Sequence, residues 1–124
     1  MKELNDLTYK IIGCAYRVHS NLGPGLLEST YEVCLEHELL KAGLSVERQK
    51  ALPVIYDEIK LEAGYRIDLL VNQKIILELK SVAAIIPIHK AQLMTYLKLS
   101  GLKLGLLLNF NVQDMKRGIN RVIM

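Results

Sequence analysis

Asp68, Glu78 and Lys80 stand in two short apolar segments, YRIDLLV and KIILELKSV, where charge is out of place. Side chains alternate across a strand, so Glu78 and Lys80 share one face while Leu77 and Leu79 take the other. Asp68 interrupts the preceding segment in the same way. Charges inside an apolar hairpin are costly unless they are solvated, paired with one another or bound to a cation. Two facing carboxylates repel. A Mg²⁺ or Mn²⁺ ion resolves that repulsion, because hard divalent cations prefer carboxylate oxygens and keep several waters. A lysine on the same face then suits orienting or deprotonating a water and stabilising charge on a phosphate oxygen. The same residues also suit an amphipathic strand with Asp, Glu and Lys on its solvent face, and the hairpin alone leaves both readings open.

Register decides whether the acids meet. A three-residue loop of Asn72, Gln73 and Lys74 pairs Val71 with Ile75 and sets Asp68 opposite Glu78. A two-residue Asn72-Gln73 loop would pair Asp68 with Leu77 and turn Glu78 to the other face. We take the odd-length loop, which alone brings the carboxylates together.

The surrounding elements must hold this hairpin. Leu7, Ile11, Ala15 and Val18 recur at helical spacing over residues 5–20, and NLGPG ends that helix. A second helix runs from about Leu26 to Ala42, with Gly43 placed for a left-handed cap. ALPVIYDEIKL alternates as a strand, and Pro53 puts it at an edge or at a strand start. HKAQLMTYLKLSG reads as a helix with Leu93, Tyr96, Leu97 and Ser100 on one face and Gly101 as its stop. KLGLLLNF has the continuous apolar run of a strand covered on both faces. The tail is read as a short helix or turn carrying Lys116, Arg117 and Arg121. The order helix, helix, three strands, helix, strand predicts an α/β sandwich around a mixed sheet.

Bulk properties narrow the function classes. At 124 residues, with 51% hydrophobic and 23% charged, the chain has the composition of one globular domain with a real core. Sixteen Lys and Arg against thirteen Asp and Glu permit a polyanionic partner without demanding one. Cys14 and Cys34 belong to no metal-ligand spacing and read as buried free thiols. The N-terminus MKELNDLTYKIIG breaks its apolar residues with charges, unlike a signal peptide, and no apolar run approaches the ~20 residues of a membrane span, so a cytoplasmic protein is expected. That also disfavours a ligand-binding protein for transport. No Gly-rich phosphate loop, Ser-His-Asp set or dinucleotide fingerprint is present.

With these residues set out, Asp68 followed by Glu78-Leu79-Lys80 resembles the core motif of the PD-(D/E)XK nuclease superfamily, an acid and a hairpin leading to E-x-K. Gln92 and Tyr96 form a Q-x-x-x-Y on the following helix, similar to the RecB-like and lambda-exonuclease-like branch. GPGLLESTYE, YRIDLLV, ELKSV, HKAQLMTYLKLSG and LGLLLNFNV together resemble the small bacterial family of GxxExxY proteins, whose name describes Gly25, Glu28 and Tyr31. The likeness runs from about residue 5 to 122. Arg66-Ile67 departs from it, standing where the proline of a PD pair would precede the aspartate.

The resemblance implies a restriction-endonuclease-like core (α-β-β-β-α-β), with an extra N-terminal helix and one nuclease-like domain over 1–124. It implies Asp68, Glu78 and Glu28 as metal ligands, Lys80 as the catalytic lysine, and Gln92 as a residue that orients Lys80 or hydrogen-bonds a ligand. Tyr31 and Tyr96 would support or contact substrate, and His89 would sit at the cleft rim. From the residues alone, Glu28 also reads as a first-turn acid answering the helix dipole, and Gly25 as serving conformation or close approach. The expected activity is Mg²⁺-dependent phosphodiester hydrolysis of DNA or RNA. The alternative is a non-catalytic module binding nucleic acid or protein on the same fold. With no separate DNA-binding module in this sequence, any grip on nucleic acid comes from the core, a homo-oligomer or a larger protein partner.

Overall fold

A computed structural model describes residues 1–62 and 64–124 of the protein. Helix α1 (Lys2–Leu22) buries the stripe Leu7, Ile11, Ala15 and Val18 that its sequence spacing predicts. Helix α2 (Glu28–Lys41) lays Tyr31, Leu35 and Leu39 against the same core. The turn between them needs glycine at Gly25, whose φ of 98° L side chains rarely adopt. A Cβ there would meet no other atom within 4 Å, so conformation rather than close approach is the constraint. At the far end of α2, Gly43 has a φ of 84°, and Leu44 N–H closes the cap on Leu39 O at 3.1 Å.

Seven strands follow: β1 (Val46–Ala51), β2 (Val54–Tyr56), β3 (Ile59–Leu61), β4 (Arg66–Val71), β5 (Ile75–Lys80), β6 (Leu104–Asn109) and β7 (Ile119–Ile123). Helix α3 (Pro87–Ser100) links β5 to β6. The main sheet has the order β1-β4-β5-β6-β7 and is mixed: β5 and β6 are parallel, the other neighbours antiparallel. A parallel pair requires a crossover, and α3 supplies it. The α1–α2 layer covers one face, packing on Leu69, Leu77, Leu79, Leu106 and Phe110. Leu93, Tyr96 and Leu97 of α3 cover the other, against Ile67, Ile76 and Leu107. Every residue of β6 is buried, as a strand roofed on both faces must be. No helix among the described residues is long and apolar enough to cross a membrane.

Two elements depart from the sequence expectation. ALPVIYDEIKL is not one strand of the main sheet. It folds on itself at Asp57 (φ 53°), and β2 and β3 form a separate two-stranded ribbon whose side chains are mostly exposed. The strand beside β4 is instead β1, whose VERQKA sequence lacks apolar alternation because it is an exposed edge. The tail is the expected turn only over Met115–Gly118. Arg121 lies in β7, an antiparallel edge strand on β6. Cys14 and Cys34 are free thiols, the first buried and the second half-buried.

Gly118 closes this last turn over β6. A Cβ built there would overlap the carbonyl oxygen of Asn109. Asn109 in turn clamps the segment after β5, accepting from Val82 N–H at 3.2 Å and donating to Val82 O at 3.0 Å. Gly118→Ala should therefore cost about 1–3 kcal/mol by overpacking, read as a lower urea midpoint with an unchanged m-value.

Candidate active site

The β4–β5 pair has the predicted register. Val71 faces Ile75, Leu70 faces Ile76 and Leu69 faces Leu77, with Asn72, Gln73 and Lys74 as the loop. Asn72 and Gln73 take φ of 52° and 57°, both in the left-handed region, and Lys74 N–H closes the turn on Val71 O at 3.0 Å. One more step along that register sets Asp68 opposite Glu78.

There the ladder gives way to the side chains. Asp68 N–H donates to Glu78 Oε2 at 2.9 Å, and Leu79 N–H donates to Asp68 Oδ2 at 2.9 Å. Each carboxylate thus takes a main-chain donor from the opposite strand. The apolar alternation of β4 breaks at the same point: Ile67 packs under α3, yet Leu69, two residues on, packs under α1 and α2.

Burial makes these acids electrostatically unusual. Glu78 is only 6% exposed. Desolvation first, then the negative charge of Asp68, push its pKa up to about 8, against the opposing pull of the Asp68 amide and of Lys80. Asp68 is raised too, chiefly by desolvation, with the Leu79 amide, Lys80 and Gln49 opposing and Glu28 adding to the rise. Lys80 is half-buried at the end of β5, and its positive charge offsets both acids. Desolvation also raises the phenol of Tyr96, a buried residue of α3, and the charges of Glu78 and Asp68 add to it. These four residues form one group. Lys80 and Tyr96 stand within electrostatic reach of the acids, without a direct bond to them.

A second buried acid belongs beside them, and sequence reasoning passed over it. Glu32 is 7% exposed, one helical turn after Glu28. Arg48 Nε donates to its Oε2 at 2.9 Å and Gln49 Nε2 to its Oε1 at 2.8 Å, both from β1. Desolvation and then Asp68 raise its pKa against these donors. Its spacing to Leu35 and Leu39 marks it as a charge on the apolar face of α2, a signal present in the sequence.

The remaining expected residues stand differently from expectation. Glu28 is exposed at the first position of α2 and makes no side-chain hydrogen bond; it reaches Asp68 only through its charge. The expected three-carboxylate cluster is therefore a bonded pair with an outlying acid. Tyr31 cannot present itself to a substrate. It is fully buried, stacked on Phe110 at 4.6 Å, and its hydroxyl donates to Gly23 O at 2.5 Å and accepts from Leu26 N–H at 3.1 Å. It pins the turn that leads into Glu28. His89 is occupied at the start of α3, where its Nδ1 accepts from Ile86 N–H at 3.1 Å and its own N–H donates to Ile86 O at 3.0 Å. That reciprocal cap, followed through Pro87 at the first helical position, explains the residue without a ligand. Gln92 is exposed on α3.

Three helices on a mixed five-stranded sheet, with paired acids and a lysine in its central hairpin, define a restriction-endonuclease-like fold. A family model for the PD-(D/E)XK nuclease superfamily matches residues 5–122, and the chain belongs to that superfamily. No curated protein and no solved structure matches it.

Among the described residues no three His, Cys, Asp or Glu side chains converge as a ready metal cage. The donor chemistry of the pair still fits a hard divalent cation. Its oxygens are carboxylate oxygens, and desolvation raises the pKa of both acids further than Lys80 and the backbone amides lower it.

A raised carboxylate pKa has a definite consequence for stability. Glu78 binds its proton more tightly in the folded chain than in the unfolded one, so its contribution is fully present below about pH 4.5 and is lost as pH rises towards about 8. Asp68 and Glu32 shift in the same direction. In EDTA, the Tm of the wild type should fall between pH 5 and 8, and Glu78→Gln should flatten that fall, as thermal melts followed by circular dichroism would show.

Proposed function

We propose that this protein is a divalent-metal-dependent nuclease that hydrolyses phosphodiester bonds of DNA or RNA with water as the nucleophile. Membership of the nuclease superfamily supports the reaction class. The observation that carries the reading is the Asp68–Glu78 pair, Glu78 buried and Asp68 half-buried, with Lys80 two residues after Glu78 and none of the three replaced by an inert side chain. Asp68 and Glu78 would hold Mg²⁺ or Mn²⁺, and Glu28, exposed at the head of α2 and felt by Asp68, would supply the outer carboxylate. When bound, such an ion supplies Lewis-acid stabilisation of phosphate charge and acidifies a water.

The chain's own groups do the rest. Lys80 Nζ orients the attacking water and offsets charge gathering on the phosphoryl oxygens. Tyr96, whose phenol feels both acids, lines the site from α3, and Gln92, one turn earlier on that helix, faces incoming substrate. The closed environment of Glu78 and Asp68 keeps their field strong, because low dielectric screens them little.

One observation favours a second reading. Both carboxylates already have main-chain donors, and among the described residues no three His, Cys, Asp or Glu side chains are placed to hold a metal ion. A non-hydrolytic module that binds nucleic acid or protein, as a monomer or homo-oligomer, would keep that self-satisfied arrangement. Cleavage of single- and double-stranded DNA and RNA with Mg²⁺ or Mn²⁺, run beside Lys80→Ala, separates the two. The nuclease reading requires metal-dependent turnover that Lys80→Ala lowers by at least about 100-fold. Equal cleavage by both proteins means a contaminant or another site and sinks the nuclease reading, whereas no cleavage by the wild type with nucleic-acid binding intact favours the second.

A further inference from the structure

Gln49 combines three features that nothing in the superfamily motif accounts for. Its φ is 54°, a left-handed conformation in a strand residue that is not glycine. The β1–β4 ladder is broken at this residue: Arg48 pairs with Leu69 and Lys50 with Ile67, but the intervening step is absent. Its amide Nε2 lies 2.8 Å from Glu32 Oε1 and 3.4 Å from Asp68 Oδ1. A primary amide carries two N–H bonds, so one group can donate to both acids. Strained backbone conformations persist where the surroundings over-determine them, and here the distortion aims a neutral side-chain donor at the gap between two carboxylates.

Neutrality is what this bridge contributes. Glu32 already has the positive charge of Arg48, bonded at 2.9 Å. A second cation in place of Gln49 would compete with any ion the Asp68–Glu78 pair holds, and an acid would add repulsion among Glu32, Asp68 and Glu78, whose shifts already record one another. An amide holds the Asp68 carboxylate with its Oδ2 on the Leu79 amide without changing the charge of the site.

We propose that Gln49, anchored by Glu32, is a positioning residue that fixes the carboxylate of Asp68. The metal arm of the test rests on the nuclease reading; the structural arm does not. Gln49→Gly removes the amide and relieves the positive φ, whereas Gln49→Met removes the amide and keeps the backbone demand. Both should leave cooperative folding intact, with the Gly variant as stable as the wild type or more so.

In metal-free protein, hydrogen exchange at the Leu79 amide, whose acceptor is Asp68, should quicken about 10-fold or more in both variants, with Leu77 unchanged. Mn²⁺ titration by calorimetry should show a Kd raised about 10–100-fold. Adding Glu32→Gln to either variant should produce little further loss, because the two residues act as one unit. Leu79 exchange within twofold of the wild type would overturn the inference. So would exchange quickened equally across the sheet, which would make Gln49 a merely structural residue. If the wild type binds no Mn²⁺, the nuclease reading fails, and the Leu79 exchange alone decides the role of Gln49.

Discussion

A carboxylate removed from water must find donors, and Asp68 and Glu78 find theirs in the backbone of the hairpin that carries them. This exchange of ladder bonds for side-chain bonds constrains everything around it. The strands separate at Asp68, β4 changes the face it offers to each helix layer, and β1 loses a pairing step beside it. The apolar part of the sheet compensates. Leu69, Val71, Ile75, Leu77 and Leu79 are all essentially inaccessible, and they lock the rest of the hairpin against α1 and α2. The site is thus a local defect in a sheet whose remaining contacts are strong enough to hold it in place.

That defect also explains why the acids remain under-compensated. A buried ion pair of one Asp and one Lys would satisfy the hairpin electrostatically, but here two acids share one half-buried lysine. The backbone amides lower both pKa values without reversing the desolvation that raises them. Two acids with raised pKa values, held at a fixed place by main-chain donors, are the kind of perturbed pair that clusters at functional sites.

Much of this was legible in the sequence because it follows from period and parity. Alternation puts Glu78 and Lys80 on one face, and only an odd loop brings Asp68 to Glu78; the register obeys that rule. The stripe of α1, the glycine stops at Gly43 and Gly101, and the buried run of β6 follow equally from local pattern. The pattern failed where tertiary position overrides it. VERQKA carries no apolar alternation because β1 is an edge whose inward contacts are polar, through Arg48 and Gln49 to Glu32. ALPVIYDEIKL alternates correctly, yet its turn forms at Asp57 without the glycine that usually announces a hairpin. His89 and Tyr31 look like site residues only because capping and loop-pinning use the same polar groups as ligand binding.

The two acids of α2 show most clearly what spacing cannot decide. Glu28 and Glu32 are four residues apart, so helix geometry gives them one face and the sequence cannot rank them. Burial ranks them oppositely to the motif: Glu32 is enclosed and bonded to Arg48 and Gln49, whereas Glu28 is exposed without a side-chain bond. The difference suits two distinct tasks. An acid whose oxygens are already engaged by an arginine and an amide is fixed and cannot turn towards an incoming ion without breaking a charge-assisted bond. An exposed acid beside the same pair keeps its rotamers and its water, and it can approach a ligand at little cost. The helix therefore brings to the sheet one carboxylate held by an arginine and an amide and one whose oxygens are unengaged, and the turn pinned by Tyr31 keeps the second at the head of the helix.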